Sequence, residues 1–365
     1  MILVVFGTTG ELIKLAPVLL RLDDRGGRGY LLATTGQQVE QIPSFLDQLG
    51  LRRPDLWLAE GAAGRDLRVN GDIPGWLARV GRSYARHRRR LRRLLADGAA
   101  RPLVLVHGDT MTTVLGAVMG RGLRVPVAHI EGGLRSYDLR HPFPEELNRR
   151  LATRLAAIHY APGPWAASNL RCSGVVDTGS NTIRDSLALV PDGDATIVEL
   201  PDPPFGVVSL HRFELLSSRR LLTETLEALA EAAARTPLLF VEHPVTVAAL
   251  ERFGLDGLFD GARFVRVQRL RFFDFVWVVR RAAFVVTDSG GSQEECFYLD
   301  LPCLVHRMRT ERREGLGETT VLSGMRIDVL RDFLADPARF RRRSPLPEAS
   351  PADLIVEDLQ RRGFV

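Results

Sequence analysis

Short apolar runs alternate along the chain with longer segments whose apolar residues recur at helical spacing. The first run, Ile2–Phe6, is followed by a loop with two glycines at residues 7–10, and then by leucine and isoleucine residues three and four positions apart. Uninterrupted apolar runs of this length are typical of buried strands, and the spacing that follows is typical of a helix. The pattern therefore predicts a strand, a loop and a helix.

The same pattern recurs in two series along the chain. Further strands are predicted at residues 30–34, 103–107, 125–130 and 157–160, and then at 206–210, 237–241, 263–267, 283–287 and 302–305. Apolar strands that alternate with helices form parallel sheets covered on both faces. The sequence thus predicts an α/β fold of two Rossmann-like, doubly wound domains that face a central cleft.

The length of the chain agrees with two domains. At roughly 150 residues per domain, 365 residues make about two. We predict a first domain over residues 1–178 and a second over 179–350, with the proline-rich stretch 177–202 as the passage between them. Residues 351–365 are predicted to form an amphipathic helix that packs back on the first domain.

Composition excludes several classes of protein. With 45% hydrophobic and 25% charged residues, the chain does not resemble a disordered protein. Cys172, Cys296 and Cys303 have no paired spacing, so neither a disulfide framework nor a structural zinc site is expected. No apolar run approaches the ~18 residues of a membrane span. We expect a cytoplasmic protein without a metal or another cofactor, which binds neither membrane nor nucleic acid.

The basic residues are unusual in kind. Lys+Arg is 49, and Lys14 is the only lysine, so all other basic residues are arginines. Lysine carries a compact ammonium on a thin stem, whereas arginine carries a wide planar group. We therefore expect Lys14 to fill a role that arginine cannot fill, and chance survival of one lysine is the alternative.

Two of three charged segments allow more than one interpretation. The arginine runs at residues 82–93 and 339–343 are expected to be solvated faces, because the chain lacks the interleaved aromatic residues and the motifs of nucleic-acid binders. A nucleic-acid surface is the alternative for the first run. The loop 310–314 is expected to close over a ligand, or else to be an ordinary solvated loop.

Candidate chemistry in the first half lies at the ends of predicted strands. The glycine loop 7–10 opens a helix, where free amides and the helix dipole favour an anion, and Lys14 follows one turn later. Asp109 and Glu131 each follow a strand, and Glu145 begins a helix. Carboxylates grouped in this way can supply a general acid and a general base. For any single one, helix capping or a backbone contact is the alternative.

Strand ends in the second half present a different chemistry. His211 follows the first strand of that series, and Ser289, Gly290 and Gly291 follow the fourth, where they open a helix as a second anion cradle. Glu294 lies one turn further on, and a carboxylate there suits the hydroxyls of a sugar or ribose. We therefore predict a nucleotide site in the second domain. A structural role is the alternative for His211.

Taken in order, these segments resemble the motifs of the non-hydrolysing UDP-N-acetylglucosamine 2-epimerases over roughly residues 1–335. The matching segments are Gly7-Thr8 with Glu11-x-Ile13-Lys14-x-Ala16-Pro17, His107-Gly-Asp109-Thr, His129-Ile-Glu131-Gly-Gly-Leu-Arg135, Pro144-Glu145-Glu146-x-Asn148-Arg149-Arg150, Thr178-Gly-x-Asn181-Thr182, His211-Arg212, Thr287-Asp-Ser-Gly-Gly-x-Gln-Glu-Glu295 and Thr310-Glu-Arg312-x-Glu314. The resemblance implies the GT-B fold and the interconversion of UDP-GlcNAc and UDP-ManNAc. The reaction would proceed by anti elimination of UDP to 2-acetamidoglucal and re-addition, without a cofactor.

The resemblance also assigns residues and a partner. It implies Asp109, Glu131 and Glu145 as acid/base groups and His211 as a catalytic histidine near the diphosphate. It implies a substrate-binding set of Thr8, Lys14, Arg135, Phe275, Ser289, Gly290, Gly291, Glu294 and Arg312, with Phe275 beside uracil. We also expect a homodimer. Hydrolysis or transfer of a related nucleotide sugar, and a non-catalytic sensor of nucleotide sugars, are the alternatives.

One departure from the family pattern concerns the first loop. The family usually reads Gly-Thr-Arg-Pro-Glu there, whereas this chain has Thr9 and Gly10 in place of arginine and proline. The chain therefore lacks an arginine that its relatives direct at the diphosphate.

Overall fold

The structure is a computed structural model of the whole chain. It describes residues 1–25, 29–62, 64–67, 71–98, 100–138, 144–193, 199–346 and 348–365. Part of the predicted passage between the domains, residues 194–198, lies outside the described residues.

Strands within the described residues fall into two parallel sheets. In chain order they are β1 (Ile2–Phe6), β2 (Tyr30–Thr34), β3 (Leu56–Trp57), β4 (Leu103–His107), β5 (Val127–Ile130), β6 (Ile158–Ala161), β7 (Val175–Asp177), β8 (Gly206–Ser209), β9 (Leu238–Val241), β10 (Phe264–Val267), β11 (Phe284–Thr287), β12 (Cys303–Val305) and β13 (Thr320–Leu322).

Helices connect these strands and cover the sheets. They are α1 (Thr9–Asp24), α2 (Ile42–Gln48), α3 (Asp72–Ala96), α4 (Met111–Leu123), α5 (Glu145–Leu155), α6 (Pro164–Ser168), α7 (Ile183–Ala188), α8 (Phe213–Leu216), α9 (Arg219–Ala233), α10 (Pro244–Phe253), α11 (Phe272–Arg281), α12 (Gly290–Tyr298), α13 (Ile327–Ala335) and α14 (Pro351–Arg361), with two 3₁₀ turns at Asp256–Leu258 and Pro337–Arg339.

Both sheets have the strand order of a doubly wound fold. The first sheet runs β3-β2-β1-β4-β5-β6-β7 and the second runs β10-β9-β8-β11-β12-β13, with parallel pairing throughout. The strand order reverses beside β1 in one sheet and beside β8 in the other. Ligands in such folds bind at the carboxyl ends of the strands next to this reversal. The loops after β1, β4, β8 and β11 are therefore the places to look for a site.

The chain divides into two compact units. Unit 1 is Met1–Leu189 together with Pro347–Val365, and unit 2 is Val190–Leu346. The division comes later than the predicted boundary at 178/179 and leaves α7 in unit 1, where Ser186 donates a hydrogen bond to the backbone oxygen of Ile13 on α1 (2.8 Å). α7 thus belongs structurally to unit 1.

α14 packs within unit 1, although it follows unit 2 in sequence. The hydroxyl of Tyr160 on β6 donates to Asp358 (3.0 Å), and Arg21 on α1 pairs with Asp353. The apolar face of α14, with Ile355, Val356 and Leu359, is fully buried. This helix thus closes one side of the first sheet.

The buried face of α14 leads to a stability prediction. We expect Leu359→Ala to lower the free energy of unfolding by about 2–5 kcal/mol, because it opens a cavity in a closely packed core. Urea unfolding followed by circular dichroism measures this loss. The matched control is Glu357→Ala on the exposed face of the same helix, which should change it by less than ~0.5 kcal/mol. Equal effects of the two substitutions would contradict the role assigned to α14.

The first arginine run lies on the outer face of α3. Trp76, Val80, Leu91 and Leu95 form the buried face of this helix, whereas the arginines between residues 82 and 93 are exposed. The run therefore lies on the exposed face of this helix. None of the helices within the described ranges is both long and apolar enough to span a membrane.

Candidate active site

The loop after β1 is held closed by its own helix cap. The Thr8 hydroxyl accepts a hydrogen bond from the amide of Glu11, and the Glu11 carboxylate accepts from the amide of Thr8 (2.9 Å). Gly7 has no room for a side chain, since an added Cβ would lie 2.1 Å from the Oγ1 of Thr112 on α4. The loop is therefore fixed tightly against α4.

Thr9, which stands where the family has arginine, is fixed differently. Its amide and its hydroxyl both donate to the side-chain oxygen of Gln38, at 2.9 and 3.0 Å. The backbone amide of Gln38 donates to the backbone oxygen of Gly7 (2.8 Å). A neutral contact that ties down the loop thus occupies this position.

Lys14 contacts the carboxylate that follows β5. Its Nζ lies 2.5 Å from Oε2 of Glu131, and both side chains are about nine-tenths buried, with 11% and 4% exposed. The amide nitrogen of Asn181 donates to the same oxygen, and Nε2 of His107 lies 4.0 Å from it. A buried ion pair of this kind is stabilising only when further hydrogen bonds accompany it. Asn181 supplies one here.

The backbone of Glu131 adopts a conformation that glutamate seldom takes. Its φ is +68°, in the left-handed region. Non-glycine residues are held there at a cost of about 1–3 kcal/mol and are often found at functional sites. The strained turn places the carboxylate beside Lys14 instead of continuing the direction of β5.

Asp109 has a partner of its own. Nη2 of Arg149 lies 2.6 Å from Oδ2 of Asp109, and the side-chain amide of Asn148 donates to the Asp109 backbone oxygen (2.9 Å). Both partners lie on the first turns of α5, which begins at Glu145. Because β4 and β5 are neighbours, Asp109 and Glu131 lie at the same edge of the sheet. Asp109 and Glu131 thus follow neighbouring strands, and Glu145 begins α5 one helical turn before Arg149.

In unit 2, His211 lies beside a buried aspartate. Oδ2 of Asp288 accepts hydrogen bonds from the amides of His211 and Arg212, at 2.8 and 2.7 Å. Burial raises the pKa of Asp288 to about 6. Burial, together with the charge of Arg212, lowers the pKa of His211 to about 4, so this imidazole is neutral at pH 7. It stacks on His243 at a centroid distance of 5.1 Å.

The predicted anion cradle opens α12 as expected from its sequence. Ser289 caps the helix, with its hydroxyl accepting from the amide of Ser292 (3.4 Å), while Gly290 and Gly291 form the first turn. A Cβ at Gly290 would lie 3.0 Å from a carboxylate oxygen of Glu311. Glycine at this position therefore allows the first turn of α12 to approach the charged loop that follows β12.

Glu294 and Arg312 form a buried ion pair. Oε1 of Glu294 lies 2.7 Å from Nη1 of Arg312, and both side chains are almost completely buried. Gln293 joins the same loop by accepting from the Thr310 hydroxyl (2.8 Å). The loop 310–314 is therefore docked on α12, so the interpretation as an ordinary solvated loop was wrong.

Two other predicted binding residues lie in half-buried positions. The guanidinium of Arg135 donates to the Leu134 backbone oxygen (2.7 Å) and to the Thr153 hydroxyl (2.9 Å). Phe275 lies on α11 and packs against the apolar core of unit 2. Both have contacts that a purely structural residue would also make.

Three residues of the site were absent from the predicted set. Arg149 contacts Asp109, Asn181 contacts Glu131, and Glu11 contacts the glycine loop. Arg149 follows Glu145 by four residues, a spacing that places both on one helix face. The sequence therefore held a signal for Arg149, whereas only the fold reveals the contact of Asn181. Among the described residues, no three His, Cys, Asp or Glu side chains are grouped so that they could hold a metal ion.

Comparison with known proteins decides the family. The family model described as UDP-N-acetylglucosamine 2-epimerase matches residues 76–329, more than half of the chain. The chain belongs to the UDP-N-acetylglucosamine 2-epimerase family. A probable UDP-N-acetylglucosamine 2-epimerase of Ralstonia nicotianae is 33% identical over 349 residues, which cover 91% of this chain and 88% of the relative. The family consists of isomerases, in agreement with the resemblance seen in the sequence.

Two further similarities describe the breadth of this epimerase family. A UDP-2,3-diacetamido-2,3-dideoxy-D-glucuronate 2-epimerase of Pseudomonas aeruginosa is 29% identical, with 93% of this chain and 91% of the relative covered. The crystal structure of UDP-GlcNAc 2-epimerase from Neisseria meningitidis bound to UDP-GlcNAc is 25% identical, has a TM-score of 0.78 and covers 99% of each chain. The prediction of an α/β fold with two Rossmann-like units of the GT-B class is confirmed.

Proposed function

We propose that this chain interconverts UDP-GlcNAc and UDP-ManNAc by inverting the sugar at C2. The observation that carries the proposal is the pair of carboxylates at adjacent strand ends, Asp109 and Glu131, each with its own cationic partner. Inversion at C2 needs a proton removed from one face and a proton delivered to the other. Two separately positioned carboxyl groups meet that need.

The reaction divides into two balanced halves. In the first, one carboxylate accepts the proton from C2 while the C1–O bond breaks, so that UDP leaves and 2-acetamidoglucal remains. In the second, a carboxyl group returns a proton to C2 from the opposite face, and a UDP oxygen adds back to C1. Asp109, Glu131 and Glu145 are the acid/base groups in this proposal.

Departure of UDP builds negative charge on the diphosphate. We propose that Thr8 and the amides at the start of α1 bind anionic oxygens in unit 1, and that Ser289, Gly290 and Gly291 do so in unit 2. Free amides at a helix N-terminus and the helix dipole support these assignments. A neutral His211 can donate a hydrogen bond to a phosphate oxygen without adding a charge.

Recognition of the nucleoside is assigned to unit 2. Glu294 would accept hydrogen bonds from ribose hydroxyls, Phe275 would lie beside uracil, and Arg312 would close over the ligand. Because Glu294 and Arg312 are paired at 2.7 Å, ribose binding would have to compete with this pair. Arg135 is assigned to substrate binding in unit 1.

Proton NMR in D2O tests the proposed reaction. Purified protein with UDP-GlcNAc should give UDP-ManNAc, with deuterium installed at C2 of both sugars. Absence of both turnover and C2 exchange would refute the assignment for this substrate. Free sugar would indicate hydrolysis, and UDP release that depends on an acceptor would indicate transfer.

A second nucleotide sugar belongs in the same experiment. The Pseudomonas relative is named for UDP-2,3-diacetamido-2,3-dideoxy-D-glucuronate, and its similarity to this chain is of the same order as that of the Ralstonia relative. Both sugars have an acetamido group at C2, so the same elimination applies to each. We propose UDP-GlcNAc as the preferred substrate, and a higher kcat/KM for the diacetamido sugar would refute that preference.

We also propose that the enzyme works as a homodimer in the cytoplasm. Cys172, Cys296 and Cys303 are free thiols, and a protein with three unpaired thiols suits a reducing compartment. The homodimer stays a prediction that light scattering of the purified protein can test.

A further inference from the structure

Glu11 occupies a position between two loops of unit 1. One of its carboxylate oxygens, Oε2, accepts hydrogen bonds from the amides of Gly7 and Thr8, both at 2.9 Å, and from the Thr8 hydroxyl at 3.0 Å. These contacts close the loop that follows β1. A local helix cap would require no more than this.

The other oxygen of Glu11 reaches a different loop. Oε1 accepts from the hydroxyl of Thr110 (2.7 Å). Thr110 directly follows Asp109 and caps α4 by accepting from the amide of Thr113. A single carboxylate therefore connects the glycine loop after β1 to the turn that carries Asp109.

Glu11 itself is buried, and its hydrogen bond with Thr110 is partly buried. Glu11 is 3% exposed, and among the described residues no lysine or arginine forms an ion pair with it. Because no cation in the described part of the chain pairs with it, this carboxylate must be held by hydrogen bonds. Burial raises the pKa of Glu11 to about 7. The titratable residues nearest in sequence to Glu11 and Thr110 are Lys14 on α1, and His107 and Asp109 at the end of β4. Neutral donors thus hold Glu11 in place.

Glu11 and Lys14 act from the same side of α1. They are three residues apart, which places them on one helix face. Lys14 contacts Glu131, while Glu11 contacts the residue that follows Asp109. The first two turns of α1 thus reach the loops that carry Asp109 and Glu131, two of the three proposed acid/base residues.

We propose that Glu11 is a positioning residue that fixes Asp109 relative to the glycine loop through Thr110. This inference rests on the proposed function, since it concerns the geometry of that reaction. Glu11 does not exchange protons with the substrate in this proposal. A carboxylate that accepted only within its own loop would be a helix cap and no more.

A double-mutant cycle tests the proposal. Glu11→Gln and Thr110→Val should each lower kcat about tenfold or more while KM changes less than threefold, because the proton-transfer geometry at Asp109 is disturbed. Together they should be no worse than the stronger single variant, since both remove one connection. Thr110→Ser, which keeps the hydroxyl, is the matched control and should retain nearly full activity.

Two results would overturn this inference. Additive effects of the two substitutions would show that Glu11 and Thr110 act independently, and a kcat of Glu11→Gln within twofold of wild type would show that the connection is not needed. Activity of the wild-type enzyme on UDP-GlcNAc in the same assay separates these outcomes from failure of the proposed function.

Hydrogen–deuterium exchange gives a readout that does not depend on turnover. If Glu11 positions the turn that carries Asp109, Glu11→Gln should raise the amide exchange rates at residues 108–113. These residues are distant from the substitution in sequence. Glu60→Gln, an exposed site in the same unit, should leave exchange there unchanged. Unchanged exchange at residues 108–113 in Glu11→Gln would refute the connection even for an enzyme inactive on the substrates tried. If Glu11→Gln fails to fold, the comparison of Thr110→Val with Thr110→Ser decides the question.

Discussion

Glu131→Gln should abolish nearly all turnover while leaving substrate binding largely intact. The side chain keeps its size, but the amide can neither accept the C2 proton nor return it. General acid/base groups contribute roughly 10²–10⁴-fold to a rate, and we expect a loss of kcat in that range. Steady-state kinetics, with UDP binding measured by calorimetry, separates the two effects.

The same substitution also changes stability, and the experiment must allow for that. A neutral amide would replace the carboxylate that pairs with Lys14 and leave a buried ammonium without its counter-charge, at an expected cost of about 3–5 kcal/mol. Assays should therefore run well below the unfolding temperature of the variant. The control is Glu60→Gln, which removes an exposed carboxylate of the same unit. Turnover of Glu131→Gln within fivefold of that control would exclude a catalytic role for this residue.

Lys14→Arg should impair the enzyme although the charge is conserved. Lys14 is buried, and its Nζ lies 2.5 Å from Oε2 of Glu131. A guanidinium is wider, and extra volume in a packed interior costs about 1–3 kcal/mol. If the misfit displaces Glu131 in the transition state, kcat/KM should fall by about 10- to 100-fold.

The control for Lys14→Arg exchanges one basic residue for the other at an exposed position. Arg82→Lys on the outer face of α3 changes one basic residue for the other where nothing is packed against it, so activity should stay unchanged. Full activity of Lys14→Arg would contradict the special role assigned to the only lysine of the chain. Loss of activity with unchanged stability would place the effect in the site and not in the fold.

The fold was largely predictable because its central strands are uniformly apolar. β1, β4 and β8 stand out in the sequence since both of their faces are buried. β3, β7 and β13 were not predicted. They are only two or three residues long and lie at the edges of the two sheets. Such a strand is defined by its pairing with one neighbour, because it is too short to show a sequence period.

The site was predictable as a set of residues but not as a set of contacts. Strand ends identified Asp109 and Glu131, because the polar residue after a buried strand is conspicuous. The sequence does not reveal that Arg149 neutralises one and Lys14 the other, since these pairs join residues 40 and 117 positions apart. Nor does it indicate that Glu294 and Arg312 contact each other, which only the docking of the loop 310–314 on α12 produces.

The position of α14 has a consequence for how the protein is made. Domains usually fold in the order in which the ribosome releases them. Here the whole of unit 2 is synthesised before α14, the helix that completes unit 1. The surface of unit 1 around Tyr160 and Arg21 therefore stays uncovered until α14 has been made. Unit 2 can finish folding first, although unit 1 is the first to leave the ribosome. During that interval the apolar surface awaiting Ile355, Val356 and Leu359 is where a nascent chain of this enzyme would need a chaperone.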